Sequence, residues 1–451
     1  NNQCNTMNRA ALTVTAALLS MLVVMQLSDT CAAEPMRLQL LTNDTPETTG
    51  AVCLDGSSPG FYFRPASDPE NAKRWLIYIK GGGWCYEPQD CLQRSGTILG
   101  SSDGWAPTNE LGGMMSTDPL VSPSFYAYNH VSIEYCDGAS FSGDVDSPVQ
   151  VAAGTHGGAN GTVYFRGHRI LQRIFEVLMD DYGLDSATDV LLTGCSAGGL
   201  AVYLHCDEVA EMLHASERQL NYRCAPGSGF FLEHSNAAHQ PVYPDQMQQV
   251  YQMQNLSALT VNRRCVQSFL TSHAHQPADA WKCVFAAHTY PFVSWPTFSI
   301  NSAYDIWQQS CILTAVPVPE DSVSNGQCSA LPNSCACLAD PTQCSLNQTL
   351  AINGFADAFM TDFGKSLAVH PVGHGAFLYS CQTHCAFQSA FWNQFTVNGM
   401  TMQQAVTAWW TTPSTAPTAH HLHLPCHRPS PPTDCNPTCS SSPPPIGCPL
   451  F

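Results

Sequence analysis

The chain has 451 residues, of which 44% are hydrophobic and 12% are charged. The charged share is about half the usual ~25%, so a sizeable core is available and charge-driven disorder of the bulk of the chain is excluded. Seventeen basic residues stand against 35 acidic ones, a formal net charge of −18, which excludes the basic face of a nucleic-acid binder and argues against docking on an anionic membrane.

After Met7 and Arg9, an apolar stretch runs from Ala10 to Leu27 and is followed by Cys31-Ala32-Ala33. It reads as a secretory signal cleaved near Ala33. Thr13, Thr15, Ser20 and Gln26 dilute it, which weighs against a retained anchor. Of 22 cysteines, 16 lie between Glu34 and Pro425, which points to a disulfide framework in an oxidising compartment. Spacing does not give their pairing. Four N-x-[ST] triplets, at Asn43, Asn160, Asn255 and Asn347, agree with that compartment.

Residues 34 to about 70 are rich in turn formers. Trp75–Ile79, Val131–Glu134 and Asp189–Thr193 are short apolar runs that read as buried strands. Ile170, Ile174, Val177 and Leu178 recur at helical spacing, so His168–Asp181 reads as a helix. Leu200–Leu213 follows as a helix, Thr297–Asn301 as a strand and Thr349–Phe363 as a helix. The alternation predicts an α/β three-layer sandwich around a mostly parallel sheet. Val316–Gln348 reads as a cross-linked surface excursion. Expected organisation is an extension and signal over 1–33, one catalytic domain over 34–412 and a Pro/Cys/His-rich tail over 413–451.

Thr193-Gly194-Cys195-Ser196-Ala197-Gly198-Gly199 ends a strand and opens a helix. That is the setting of a nucleophile elbow, in which a sharp turn exposes a serine hydroxyl. Lys80-Gly81-Gly82-Gly83-Trp84-Cys85 also ends a strand. A glycine-rich loop there can supply N–H groups to an oxyanion, together with the N–H of Ala197. No Gly-Lys-[ST] follows, so it is not a Walker A loop.

The serine needs a base, and chain order places an acid and then a histidine after it. His384 sits between Cys381 and Cys385 after the apolar run Phe377-Leu378-Tyr379, whereas His370 and His374 flank Gly373 and suit a turn. Asp305 stands just beyond the 297–301 strand. On spacing alone, Asp279, Asp321 and Asp340 compete with it. His420, His421, His423, Cys426 and His427 look like a metal cluster, but a mobile tail segment with a disulfide at Cys426 is the favoured reading. Cys195 and the Cys335-Ala336-Cys337 pair suit structural disulfides. Arg166, Arg169 and Arg173 at helical spacing could form a basic patch that offsets the acidic charge locally, but a solvated helix face is the favoured reading.

The K-G-G-G-W-C run with Cys91, E-Y-C-D-G-A-S-F-S-G-D at 134–144, F-R-G at 165–167, G-C-S-A-G-G-L-A at 194–201, H-C-D at 205–207, N-S-A-Y-D-I-W-Q at 301–308, S-C-Q-T-H-C at 380–385 and C-N-P-T-C at 435–439 resemble the plant pectin acetylesterases, relatives of the animal Notum carboxylesterases. The resemblance spans about Leu40 to Cys439, while Ser268–Trp281 and Val316–Gln348 depart from the plant enzymes. It implies a secreted, disulfide-bonded α/β-hydrolase with Ser196, Asp305 and His384 as triad and the N–H groups of Gly83, Trp84 and Ala197 as oxyanion hole. It also implies removal of O-acetyl groups from pectin or a related polysaccharide in the cell wall. No metal or organic cofactor is expected, no stable membrane association follows signal cleavage, and a monomer is expected. The alternatives are a Notum-like deacylase of lipidated protein or another long-chain ester, and a non-catalytic wall-binding module on a hydrolase scaffold.

Overall fold

The computed structural model describes residues 34–152, 160–215, 217–271, 276–316, 334–422 and 436–439. Ten strands form one sheet: β1 (Met36–Leu40), β2 (Gly60–Arg64), β3 (Arg74–Ile79), β4 (Thr108–Asn109), β5 (Asn129–Ile133), β6 (Asp189–Cys195), β7 (Asn221–Gly227), β8 (Phe298–Ser302), β9 (Gly375–Tyr379) and β10 (Ala419–Leu422). Their spatial order is β10-β9-β8-β7-β6-β3-β5-β2-β1-β4. Every pairing from β5 through β3 to β10 is parallel. The β2–β5, β1–β2 and β1–β4 pairings are antiparallel.

Side chains alternate across each strand. Trp75, Ile77 and Ile79 of β3 enter the core on one face of the sheet, and Leu76 and Tyr78 enter the core on the other. The helices used below are α1 (Pro88–Arg94), α2 (Gly167–Tyr182), α3 (Ala197–Met212), α4 (Leu346–Ala368) and α5 (Met402–Thr411). Apolar residues of α2, α3 and α4 fill the first core, and Met402, Ala405, Val406, Trp409 and Trp410 of α5 fill the second. Helix α2 buries Ile170, Leu171, Ile174, Phe175 and Leu178 along one stripe. It stops at Gly183, whose φ of 82° permits a left-handed cap.

Of the boundaries that differ from the sequence reading, two have a clear physical reason. Helix α4 begins at Leu346, before the expected Thr349, because Ser345 and Gln348 form a capping box. Its first turn is polar, so the apolar pattern does not mark it. The tail assigned to 413–451 is not separate from the catalytic domain throughout. Ala419–Leu422 extends the sheet in parallel beside β9, and Cys439 is bonded to Cys381. Ladder hydrogen bonds come from the backbone, so an edge strand can hide in a Pro/Thr/His-rich segment. His423, Cys426 and His427 lie outside the described residues.

Every described cysteine is disulfide-bonded, which accords with the framework read from their number. Asn43, Asn160, Asn255 and Asn347 are all exposed. Among the described residues, no helix is long and apolar enough to cross a membrane.

Two buried histidines couple this fold to pH. The His130 Nε2–H group donates to the Phe125 carbonyl at 2.7 Å, and its Nδ1 faces Arg64. Burial, then the Arg64 charge, pushes its pKa down to about 3. Burial, then stacked His370, pushes His374 down to about 3. Both stay neutral in the fold, whereas the same groups take protons in the unfolded chain near pH 6.5. Their contribution is therefore complete above pH 6.5 and is lost as pH falls towards 3, by up to about 2 kcal/mol each at pH 5. Asp137 acts in the opposite direction. Burial raises its pKa to about 6, so it costs stability at neutral pH and relaxes below it. Urea unfolding at pH 7 and pH 5 should show a gap that His374→Gln narrows by about 1–2 kcal/mol. An unchanged gap would contradict a neutral, buried imidazole.

Candidate active site

Strand β6 ends at Cys195 and α3 begins at Ala197, so Ser196 occupies the turn between them. Its backbone has φ 62° and ψ −130°, a strained setting for a residue with a side chain. The turn tolerates no bulk behind it. A Cβ on Gly198 would lie 2.1 Å from the Ile79 carbonyl oxygen. The Ser196 N–H donates to the Gly227 carbonyl at 3.1 Å. The N–H of Ala197, in the first helical turn, has no partner among the described residues.

The glycine loop after β3 lies directly against this turn. A Cβ on Gly81 would sit 2.2 Å from the Cys195 carbonyl oxygen and 2.8 Å from the Ser196 Cβ. Arg94 of α1 donates to the Gly82 carbonyl at 2.6 Å, and the Tyr135 hydroxyl donates to the Gly83 carbonyl at 2.7 Å. In a trans peptide the carbonyl and the next N–H point in opposite directions. The N–H groups of Gly83 and Trp84 therefore face away from those two anchors, and neither has a partner among the described residues.

A second loop braces the first. The Asp137 carboxylate accepts from the N–H groups of Ala139 and Phe141 at 3.1 and 2.8 Å. Those bonds hold Ser140 and Phe141 at φ 54° and 59°. The Ser140 hydroxyl accepts from the Trp84 indole at 2.9 Å, and its N–H donates to the Tyr135 hydroxyl at 3.0 Å. Sequence reasoning did not select Arg94, Tyr135 or Ser140. Tyr135 and Ser140 lie within the Y-C-D-G-A-S-F motif, whereas nothing in sequence marks Arg94.

Asp305 follows β8 and His384 follows β9, so both stand at the same sheet end as Ser196. The His384 Nδ1–H group donates to both Asp305 oxygens, at 2.8 and 3.0 Å. Asp305, 1% exposed, is fixed further by accepting from the Gln308 N–H at 3.1 Å. This pairing leaves His384 Nε2 as the acceptor nitrogen. That atom is buried and has no partner among the described residues. Cys195 is bonded to Cys385, so the residue before the serine is tied covalently to the residue after the histidine. A His384 ring nitrogen lies within 4.8 Å of both sulfurs. Because the sulfurs are bonded to each other, they offer no thiolates to a metal.

The competing residues play other parts. Asp340 accepts from Thr342 and Gln343, and Asp279 lies in the Pro277–Val284 turn. Asp321 is outside the described residues. His370 and His374 stack on each other at 3.8 Å. Arg169 pairs with Asp144 and Asp146, and Arg173 with Asp44 and Glu176, so that face is largely neutralised. A second serine–histidine–carboxylate arrangement exists, with Ser142 Oγ 3.1 Å from His205 Nε2 and His205 Nδ1 2.9 Å from Glu208. Ser142 and His205 are fully buried, which keeps a polymer from reaching them.

Two environments adjoin the serine and the histidine. A cavity of about 330 Å³ opens beside Ser196, bounded by Lys80, Gly81, Gly82, Asn109, Ser132 and Gln388. On the other side, Phe231 and Trp307 lie 6.4 Å from the His384 ring and pack against Trp84 at 5.0 and 5.6 Å. Cys195 and Cys385 are 190 residues apart. Replacing both with alanine should lower unfolding free energy by about 2–5 kcal/mol, read from urea midpoints. A loss under about 1 kcal/mol would show the bridge to be dispensable.

The chain resembles characterised proteins along most of its length. Residues 31–440 match the family model described as pectinacetylesterase. Pectin acetylesterase 5 of Arabidopsis thaliana is 30% identical over 379 residues, covering 83% of this chain and 80% of that protein. The palmitoleoyl-protein carboxylesterase NOTUM of Schmidtea mediterranea is 27% identical, covering 81% of this chain and 61% of that protein. The crystal structure of the Drosophila Wnt deacylase Notum superposes with a TM-score of 0.67 at 22% identity, covering 90% of this chain and all of that one. It confirms the α/β-hydrolase-like fold. The chain belongs to the pectinacetylesterase family and is a carboxylic ester hydrolase.

Proposed function

We propose that the enzyme removes O-acetyl groups from pectin or a related cell-wall polysaccharide through an acetyl-enzyme on Ser196. The observation that carries this reading is the His384–Asp305 pair, its Nε2 lacking a partner, on a loop bonded to the residue before Ser196. His384 takes the Ser196 proton as the hydroxyl oxygen attacks the ester carbonyl. The N–H groups of Gly83, Trp84 and Ala197 receive the negative charge that develops on the carbonyl oxygen. His384 returns the proton to the departing sugar alcohol. A water, deprotonated by His384, then releases acetate. Asp305 orients the imidazole and stabilises its charged form. The enzyme acts as a secreted monomer in the wall.

The aromatic packing supports a short acyl group. Trp84, Phe231, Tyr243 and Trp307 lie ring against ring beside His384. All four are buried, so a long acyl chain entering on that side would have to displace rings. The names of the Arabidopsis relatives support the same polymer class.

The test is acetate release from acetylated pectin, alongside p-nitrophenyl acetate, butyrate, octanoate and palmitate. The acetate ester should be preferred. Ser196→Ala should lower kcat by about 10³-fold or more, and Asp305→Asn by about 10²–10⁴-fold. A preference for palmitate would favour the long-chain reading, and serine-independent turnover would remove Ser196 from the mechanism. Tyr135→Phe releases the Gly83 carbonyl from its anchor. It should lower kcat about ten-fold with little change in KM, as loss of a transition-state contact does. A rise in KM alone would place Tyr135 in substrate binding instead.

A further inference from the structure

The cavity beside Ser196 carries a charge pattern unlike that of the chain around it. Of its lining residues, Lys80 bears the positive charge, and no carboxylate lines it. The Lys80 Nζ is held at 2.6 Å by Glu134, whose side chain is 1% exposed and lies behind the lining. The side chain of Lys80 is one-third exposed. The ammonium has three donors, and this carboxylate occupies one of them. Burial raises the Glu134 carboxyl above its usual range, and Lys80 opposes that rise. The pair is thus a cation anchored by a buried anion, on a partly exposed side chain that lines the cavity.

The rest of the lining is neutral and mixed, with Tyr78, Leu111 and the Cys195–Cys385 bridge beside polar groups. Asn109 and Gln388 contribute side-chain amides, the Gln388 amide N–H donating to the Tyr78 hydroxyl, while the fully buried Ser132 hydroxyl lies against Glu134. Amides suit the hydroxyls of a sugar ring, and apolar surface suits its C–H face. The volume, about 330 Å³, falls at the small end of ligand clefts and suits roughly one ring. Three other basic residues, near this end of the fold or on the α2 face, are engaged elsewhere. Arg94 is bound to the glycine loop, and Arg169 and Arg173 are paired on α2.

We propose that this cavity is the leaving-sugar subsite and that Lys80 recognises the carboxylate of an acetylated uronic acid residue. The inference rests on the polysaccharide reading above and names the sugar class that the site selects. A uronate carboxylate bound to Lys80 places its own ring within the cavity that Ser196 borders. It also supplies local attraction that an enzyme with a net charge of −18 otherwise lacks towards an anionic polymer. A methyl-esterified uronate loses the charge that Lys80 reads.

The test compares kcat and KM for acetylated polygalacturonate, the same polymer fully methyl-esterified, acetylated xylan and p-nitrophenyl acetate. Wild type, Lys80→Gln, Lys80→Arg and the double variant Lys80→Met with Glu134→Gln are assayed. The double variant leaves no carboxylate buried without its cation. Wild type should prefer the free-acid polymer over its methyl ester by about ten-fold in kcat/KM. That preference should collapse in Lys80→Gln and in the double variant through a rise in KM, and return in Lys80→Arg. If the free-acid and methyl-ester polymers respond alike to Lys80→Gln, the Lys80 inference is overturned while the pectin reading stands. If wild type cleaves p-nitrophenyl acetate but neither pectin form, the polysaccharide reading itself fails.

Discussion

Cys195 and Cys385 connect two loops that leave the sheet at β6 and β9, with β7 and β8 between them. Those cysteines are 190 positions apart along the chain. A hydrolytic serine and its base must be held within a few tenths of an ångström of a working geometry. In this protein the neighbours of both residues are covalently fixed to each other. The bond also fixes what lies around it. Cys385 adopts a left-handed backbone at φ 60° and donates its N–H to the Ser228 hydroxyl at 3.0 Å. The Cys381–Cys439 bond holds the same loop from its other side. Strand order brings Ser196, Asp305 and His384 to the same end of the sheet, where His384 is hydrogen-bonded to Asp305, and the bridges tie the histidine loop to the turn that carries Ser196 and to Cys439.

The oxyanion side is organised by hydrogen bonds rather than covalent bonds. Its donors are useful only if their peptides are oriented before the substrate arrives. Arg94 and Tyr135 do this by holding the carbonyls of Gly82 and Gly83. Tyr135 is in turn set by Ser140, and Ser140 by the loop that Asp137 folds back on itself. Asp137 pays for this position with a raised pKa, because its burial opposes its charge. Backbone strain at Ser140, Phe141 and Ser196 is concentrated at the same end of the sheet, where rigid surroundings can sustain it.

Much of this was legible in the sequence because the signals are local. The strand–turn–helix around Ser196 and the strand before Gly81 can be read from short apolar runs and glycines. The acid was less legible. A lone aspartate after a strand looks like Asp279 or Asp340 until the family motif is considered, since the partner that distinguishes it lies 79 positions away. The buttress of Arg94, Tyr135 and Ser140 was not read as such, because it depends on carbonyl directions that no residue pattern encodes. The edge strand at 419–422 was hidden by its composition. Lys80 was visible as part of the glycine loop, but its role depends on Glu134 lying behind it.

The account stands on Ser196 being an activated nucleophile. Its most direct test is to react the folded enzyme with a fluorophosphonate and map the adduct by peptide mass spectrometry. The account predicts one stoichiometric adduct on Ser196. It also predicts that the adduct is absent when the protein is denatured and its disulfides are reduced before exposure to the probe. Labelling of another residue, or none on the folded and active enzyme, would contradict it.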